Sequence, residues 1–181
     1  MPPGFAPPGG FDCDAKDLND YLLDGSAKRD AGANFSQTYL IMHGTSLVGY
    51  FSVLTDAIRL KTKERPDGIN YPTAPALKLG RLAVCNEHKR KGVATWALKY
   101  VVAMGRSISR GCGCRYITLD ALQRADSLGL YEDFGFVRNE DEQWVRKIIR
   151  ELKQRISQTE PLHNVSMRYD ILLKAELPEA E

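Results

Sequence analysis

Apolar positions recur along the chain at two spacings, and the spacing divides it into elements. Leu18, Tyr21 and Leu22 stand at i, i+3 and i+4 within AKDLNDYLLDGSAKRD. This predicts an amphipathic helix capped by Asp14 and ending near Gly25 or Gly32. Tyr39 to Met42 and Leu47 to Leu54 are runs of β-formers, and His43-Gly44 with its neighbours supplies a turn, so the two read as a hairpin. Residues 61–76 carry three prolines and several charges and read as a loop, and Leu77 to Val84 is the next strand. Residues 92–110 are strongly helical, with Val93, Ala97, Tyr100, Val101 and Met104 on one stripe. Tyr116 to Leu119 is a short strand, Ser127 to Phe134 a short helix, and Phe136-Val137 opens a further strand. In residues 144–156, Trp144, Val145, Ile148, Ile149, Leu152 and Ile156 share a helical face; Val165 to Leu173 is the last strand.

The order is helix, hairpin, strand–helix, strand–helix, strand, added helix, strand. That pattern predicts a mixed α/β (α+β) fold, one sheet with helices on its faces. No internal repeat interrupts it. At 181 residues the chain suits one domain with a sizeable core. Residues 1–10 are Pro/Gly-rich and read as a loose arm, residues 11–175 as a single domain, and residues 176–181 as a tail.

Composition narrows the function classes. The formal net charge is only +2, so the total implies no general affinity for polyanions. No run of about 18 apolar residues is present, and the expectation is a protein that does not span a membrane. The opening MPPGFAPPGG has neither a basic n-region nor an apolar h-region, so it is not read as a secretory signal. Cys112 and Cys114 are separated by one glycine, which fits neither a zinc knuckle nor a redox pair. With Cys13 and Cys85 they are expected to be free thiols of a reducing, cytoplasmic setting, with no metal.

Local charge is more telling. Between His88 and Leu119 there are seven Lys/Arg and no Asp/Glu. The cluster opens where the strand LGRLAV passes through CNEHKRK into the helix GVATWALKYVV. A glycine opening a helix after a strand lets backbone N–H groups approach a ligand, and the helix N-terminus favours an anion. Gly92 and Ala94 leave room for a diphosphate, and Lys89, Arg90 and Lys91 add charge at its mouth. On its own this segment fits a solvated basic loop equally well.

Two further elements bear on the choice: CRYITLDAL, a strand ending near Asp120, and LYEDFGF, residues 130–136. With RLAV and KRKGVA before them, the chain resembles the GNAT N-acetyltransferase superfamily. That family's cofactor motif is Q/R-x-x-G-x-G/A after an L-A-V strand, and its later helix carries F-Y-E-x-F-G-F. The resemblance covers residues 11–138 and 165–174. Lys89 stands where the family has Gln or Arg, and Leu130 where it has Phe. The start, FDCDAKDLNDYL, is similar to the branch containing tRNA-acetylating toxins and stand-alone acetyltransferases, which opens F-D-C-G-x-x-x-L-D-x-W-L; Asp14 replaces the Gly and Tyr21 the Trp. Residues 139–164 are a helical insertion before the last strand. The implied fold is a central, mixed, mostly antiparallel sheet flanked by helices.

The resemblance implies acetyl-CoA as co-substrate and direct attack of an amine on its thioester. It assigns the pantetheine arm to the backbone of Leu82, Ala83 and Val84, and the diphosphate to the turn and helix start formed by Lys89, Arg90, Lys91, Gly92, Val93, Ala94 and Thr95. It makes the Val84 amide the oxyanion donor and Tyr131 the general acid. With a thiol near 8.5 and a tyrosine near 10, that proton transfer is uphill by roughly 2 kcal/mol unless concerted. Without the resemblance, Tyr131 reads as an aromatic packed beside Phe134 and Phe136. No base declares itself: Glu87 and Asp120 lie near the right strand ends but suit surface roles. A lysine amine is neutral only about 0.1% of the time at pH 7.4, an α-amine about a third of the time. The missing base therefore favours an α-amine, such as that of a charged tRNA.

The expected function is acetyl transfer to a primary amine, on charged tRNA in the toxin-like case. Acetylation of a protein or small-molecule amine, and a non-catalytic acyl-CoA sensor, are the alternatives. Lys61, Lys63, Arg65, Lys78, Arg106, Arg110 and Arg115 form either a phosphate-binding face or scattered solubilising charges. The branch implies an antitoxin partner, and the stripe on residues 144–156 suits either packing on its own domain or a homodimer.

Overall fold

The computed structural model describes residues 11–122, 125–139 and 164–172. The arm 1–10, the segment 144–156 and the tail 176–181 lie outside the described residues. Helices α1 (Lys16–Leu23) and α2 (Ser26–Gly32) open the fold. They stand where one helix was expected. Gly25, at φ 84°, breaks the run, and the Asp24 carboxylate accepts from the Ser26 N–H at 2.7 Å to restart it. Asp14 is not the cap: Ala15 holds the N-cap position without a side-chain bond.

Strands β1 (Gln37–His43) and β2 (Ser46–Arg59) form the expected hairpin around Gly44, which has φ 59°. Strand β3 (Thr73–Val84) starts four residues earlier than its apolar run, within the expected loop. Ala74 and Ala76 are buried there with Ile58, Leu60 and Tyr116, so tertiary packing extends a strand across Pro75. Helix α3 (Val93–Ile108), β4 (Tyr116–Ala121), α4 (Ala125–Phe134), β5 (Val137–Arg138) and β6 (Val165–Asp170) complete the chain order. The last strand stops short of its predicted end because the backbone turns at Ile171 and Leu172.

The six strands lie in the order β1-β2-β3-β4-β6-β5. Four of the five pairings are antiparallel; only β3 and β4, joined through α3, run parallel. The mixed, mostly antiparallel sheet is thus as expected. One core lies under α3 and α4, where Leu98, Val101 and Val102 meet Phe51, Leu79, Ile117 and Met167. A second, on the opposite face, joins α1 to Phe11, Tyr50 and Ala83. The helical stripe read from residues 92–110 is only half covered: Ala97 and Val101 are buried, but Tyr100 is exposed beside Trp96.

Two features of this sheet position the site. Opposite Ser52 and Val53, β3 pairs through Arg81 and Leu79, leaving Gly80 as the extra residue of a β-bulge. A side chain there would press on Leu54 and Ser52. Beyond the bulge β3 and β4 part: their pairing runs only from Ala76/Tyr116 to Leu79/Leu119.

Candidate active site

The parting of β3 from β4 leaves one edge of Gly80–Val84 without a strand partner among the described residues. The Cys85 N–H donates to the Val48 carbonyl at 2.9 Å, so that residue faces β2. Alternation along the strand then turns the amides of Leu82 and Val84 the other way, into the gap. The gap is a cleft of about 600 Å³ whose walls include Leu82, Ala83, Val84 and Tyr131. A neighbouring cavity of about 320 Å³ is lined by Lys89, Arg90, Gly92, Val93, Ala94 and Thr95. Val84, Lys89 and Ser127 border both, which makes one continuous channel.

The turn into α3 is built for an anion. Arg90 has φ 60° and Gly92, the N-cap of α3, has φ 79°. No side chain caps this helix, so the first-turn N–H groups of Val93, Ala94 and Thr95 point out of its end. Gly92 accepts only the first intrahelical bond, from the Trp96 N–H at 2.9 Å. Such a cradle attracts negative charge. Of the residues assigned to cofactor binding, only Lys91 lines neither cavity; it is exposed.

Lys89 has a partner of its own. Its Nζ meets the Asp14 carboxylate at 2.8 Å and donates to the Cys13 carbonyl at 3.0 Å. Asn86 donates to Asp14 at 2.7 Å and to Asp12 at 3.0 Å, and the Asn86 N–H donates to the Asp12 carbonyl. Bonds from Lys89 and Asn86 hold the Asp14 carboxyl below its ordinary range. The segment Phe11–Asp14 is therefore laced to the turn that opens α3. Asp14 itself has φ 62°, a conformation that suits the glycine of the resembling motif. Two of the positions at which the chain departs from that pattern thus face one another as an ion pair.

Tyr131 stands on α4 with its ring edge-on to Phe136, 5.8 Å between centroids. Its carbonyl accepts from the Phe136 N–H at 2.9 Å. Burial pushes its hydroxyl up to about 12, so it stays protonated at neutral pH. Asp120 lines the same cleft and accepts from Lys78 Nζ at 2.7 Å; Glu87 lines neither cavity. Arg81 lies over the Tyr21 ring, 3.6 Å from its centroid, at the other mouth of the cleft. The cleft thus opens on both faces of the sheet. Sequence reasoning misses Gly80, Ser127 and Arg81. An isolated glycine within a strand pattern is the signal that could have found the bulge.

All four cysteines are free, and burial raises the Cys13 and Cys114 thiols above their ordinary range. Among the described residues no group of His, Cys, Asp and Glu is arranged to hold a metal, and no helix is long and apolar enough to cross a membrane.

The fold has counterparts among solved structures. A comparison with curated proteins finds no match. Among solved structures, AtaT complexed with acetyl-methionyl-tRNAfMet is similar at TM-score 0.69 and 18% identity, over 88% of this chain and 85% of that one. A tyrosine-to-phenylalanine mutant of KacT is similar at TM-score 0.69 and 21% identity, over 90% and 86%. A corresponding AtaT toxin mutant, bound to the C-terminus of the antitoxin AtaR and acetyl-CoA, gives TM-score 0.63 and 16% identity, over 89% and 83%. At these identities the likeness is one of fold. The sequence itself carries the family: the model of the acetyltransferase (GNAT) family matches residues 9–136, which span the cleft, the cradle and Tyr131. The chain is a member of the GNAT family of acetyltransferases.

Proposed function

We propose that this protein transfers the acetyl group of acetyl-CoA to the α-amine of an aminoacyl-tRNA. The observation that carries the reading is the continuous channel from the uncapped end of α3 to Tyr131, with the free edge of β3 along one wall. The residues present fit acetyl-CoA: an N–H cradle for a diphosphate at Gly92–Thr95, and an unpaired strand edge for an amide-bearing arm at Leu82–Val84. Acetyl-CoA supplies an activated thioester.

The chain's own groups supply the rest. The Val84 amide, pointing into the gap, donates to the carbonyl oxygen as it gains charge during amine attack. The C–N bond forms, the C–S bond breaks, and the Tyr131 hydroxyl hands its proton to the departing sulfur. The ammonium formed on the acceptor returns a proton to Tyr131. Burial makes a complete transfer ahead of cleavage more costly than the sequence suggested: from a hydroxyl near 12 to a thiolate near 8.5 it runs uphill by about 5 kcal/mol. Donation is therefore concerted with C–S cleavage.

The acceptor reading is supported by the likeness to AtaT complexed with acetyl-methionyl-tRNAfMet and by the scarcity of bases: of the two carboxylates that line the cleft, Asp120 is tied to Lys78, and only Asp17 lacks an ion pair among the described residues. An α-amine, about a third neutral at pH 7.4, has least need of one. An antitoxin is the partner this reading entails, as AtaR is for AtaT.

The test offers labelled acetyl-CoA together with charged tRNA, a lysine-rich protein and polyamines. Label should appear on charged tRNA and disappear when the aminoacyl bond is hydrolysed. Label on the protein or polyamines instead would overturn the acceptor assignment. Tyr131→Phe should keep acetyl-CoA affinity and lower turnover by about 10²- to 10⁴-fold; unchanged turnover would remove Tyr131 from the mechanism. Growth arrest on expression, relieved in the same variant, is the companion readout.

A further inference from the structure

A second cavity, of about 320 Å³, lies apart from the acetyl channel. It is walled by the end of β2 and the loop after it, by the residue after β5 and by β6, through Arg59, Lys61, Glu64, Arg65, Asn139 and Arg168. Its charges do not cancel. Glu64 is spent: one carboxylate oxygen accepts from Arg168 Nη2 at 2.7 Å, the other from the Lys61 N–H at 2.8 Å. Burial pushes its carboxyl up, but these bonds outweigh burial and hold it ionised, below its ordinary range. Arg168 donates its other arm to Asn139 at 2.7 Å. Arg59, Lys61 and Arg65 are left with no carboxylate partner among the described residues, and Arg65 makes only one side-chain bond, to the Asn70 carbonyl. Among the described residues the buried Arg65 Nε has no acceptor. Four cations against one carboxylate around this cavity, with one donor orphaned among the described residues, describe a site for an oxyanion.

Its place in the sheet says which oxyanion. Leu54, Lys78, Thr118 and Arg168 are successive partners across β2, β3, β4 and β6. Directly paired residues share a face, so Arg168 and Lys78 stand on the same side of the sheet, away from α3. Lys78 and its partner Asp120 line the acetyl cleft where it opens on that side. Two strand spacings separate Lys78 from Arg168, on the order of 10 Å. The α3 cradle, by contrast, belongs to the opposite face. The second cavity is therefore on the face of the sheet opposite the α3 cradle.

We propose that this pocket seats a phosphate group of the acceptor, on the face of the sheet where the acetyl cleft opens beside Lys78 and Asp120. The inference rests on the aminoacyl-tRNA reading above and deepens it. Of the basic residues singled out in the sequence, it selects Lys61 and Arg65 and adds Arg59 and Arg168. It leaves out Arg115, paired with Asp170 at 2.7 Å, and Arg106, bonded to the Ile171 carbonyl at 3.2 Å.

The test is a binding measurement, independent of turnover, on the full chain saturated with CoA so that the α3 cradle is filled. Labelled uncharged tRNA is titrated by anisotropy at several salt concentrations against the native protein, Arg59→Glu/Lys61→Glu, and a charge-matched control, Lys28→Glu/Arg110→Glu, on other surfaces. The pocket variant should lose at least about 10-fold in affinity, with a flatter salt dependence, while the control loses less. Equal losses in the two variants, or none, would overturn the proposal. Unchanged CoA affinity certifies the fold; should the charge reversals fail to fold, Arg59→Gln/Lys61→Gln takes their place. Inorganic phosphate, titrated into the CoA-saturated protein, separates the sources. Binding of phosphate that the pocket variant abolishes, without any loss of tRNA affinity, assigns the site to a small phosphorylated amine. Loss of tRNA affinity in the variant, when the native protein labels no charged tRNA, would sink the acceptor reading and leave this site standing.

Discussion

Asp14 and Lys89 are the residue-scale finding. Each departs from the family's motif, as Tyr21 and Leu130 also do, and each of these two accounts for the other. Asp14 occupies a backbone conformation in which glycine is the usual choice, and aspartate is one of the few residues that tolerates it. Its carboxylate then reaches Lys89 and Asn86. Exposed pairs of this kind add little to stability; the consequence is local geometry, since Lys89 is drawn toward Asp14 at the rim of the phosphate cradle. A double-mutant cycle on acetyl-CoA affinity should show it. Lys89→Gln alone leaves a carboxylate uncompensated beside the cradle and should weaken binding several-fold, whereas Asp14→Gly with Lys89→Gln should recover most of the loss. Strict additivity of the two changes would mean that the pair has no bearing on the cofactor.

At the scale of elements, β3 carries the site because of what its neighbours lack. Gly49 pairs with Val84, and a Cβ on Gly49 would stand 2.7 Å from the Ala83 carbonyl, a backbone atom that cannot turn aside. Gly49→Ala should therefore push β3 at the residues lining the cleft. The expected cost is about 1–3 kcal/mol, the range for overpacking, seen as a melting temperature lower by several degrees and a raised KM for acetyl-CoA. An unchanged melting temperature would show that β2 and β3 separate there without strain. The bulge at Gly80 acts in the complementary direction. Its extra residue tilts β3 out of register with β4 and opens the gap in which the Leu82 and Val84 amides are free.

At the scale of the whole molecule, two tyrosines link stability to alkaline pH. Burial raises Tyr50 beyond the usual tyrosine range and Tyr131 up to about 12. A raised acid binds its proton more tightly when folded. The stabilisation is complete below about pH 10, where unfolded tyrosine is still protonated, and is lost as pH rises from there through the folded values. Urea midpoints should thus fall between about pH 10 and pH 12, and Tyr131→Phe should flatten that fall without abolishing it, because Tyr50 remains. A Tyr131→Phe protein with the native slope would show that the hydroxyl is solvated in the folded state.

What the sequence determined by itself was the order of elements and the chemistry at the head of α3. Those depend on short-range quantities: the spacing of Leu18, Tyr21 and Leu22, the β-rich runs around Gly44, and a glycine placed between a strand and a helix after three cations. The family followed from motifs whose residues lie close together in the chain. Only the tertiary structure decided how far β3 extends, since Ala74 and Ala76 become strand residues through burial against Ile58 and Tyr116. It alone brought Asp14 to Lys89, 75 positions apart, and Arg168 to Glu64, 104 positions apart. Contacts of that range leave no periodicity to read. They arise when separate elements bury their apolar faces on a common sheet, and the polar residues on those elements are carried along. The uncapped turn that opens α3 is local and was legible in the sequence; the cleft, its two mouths and the second cavity are products of strand register.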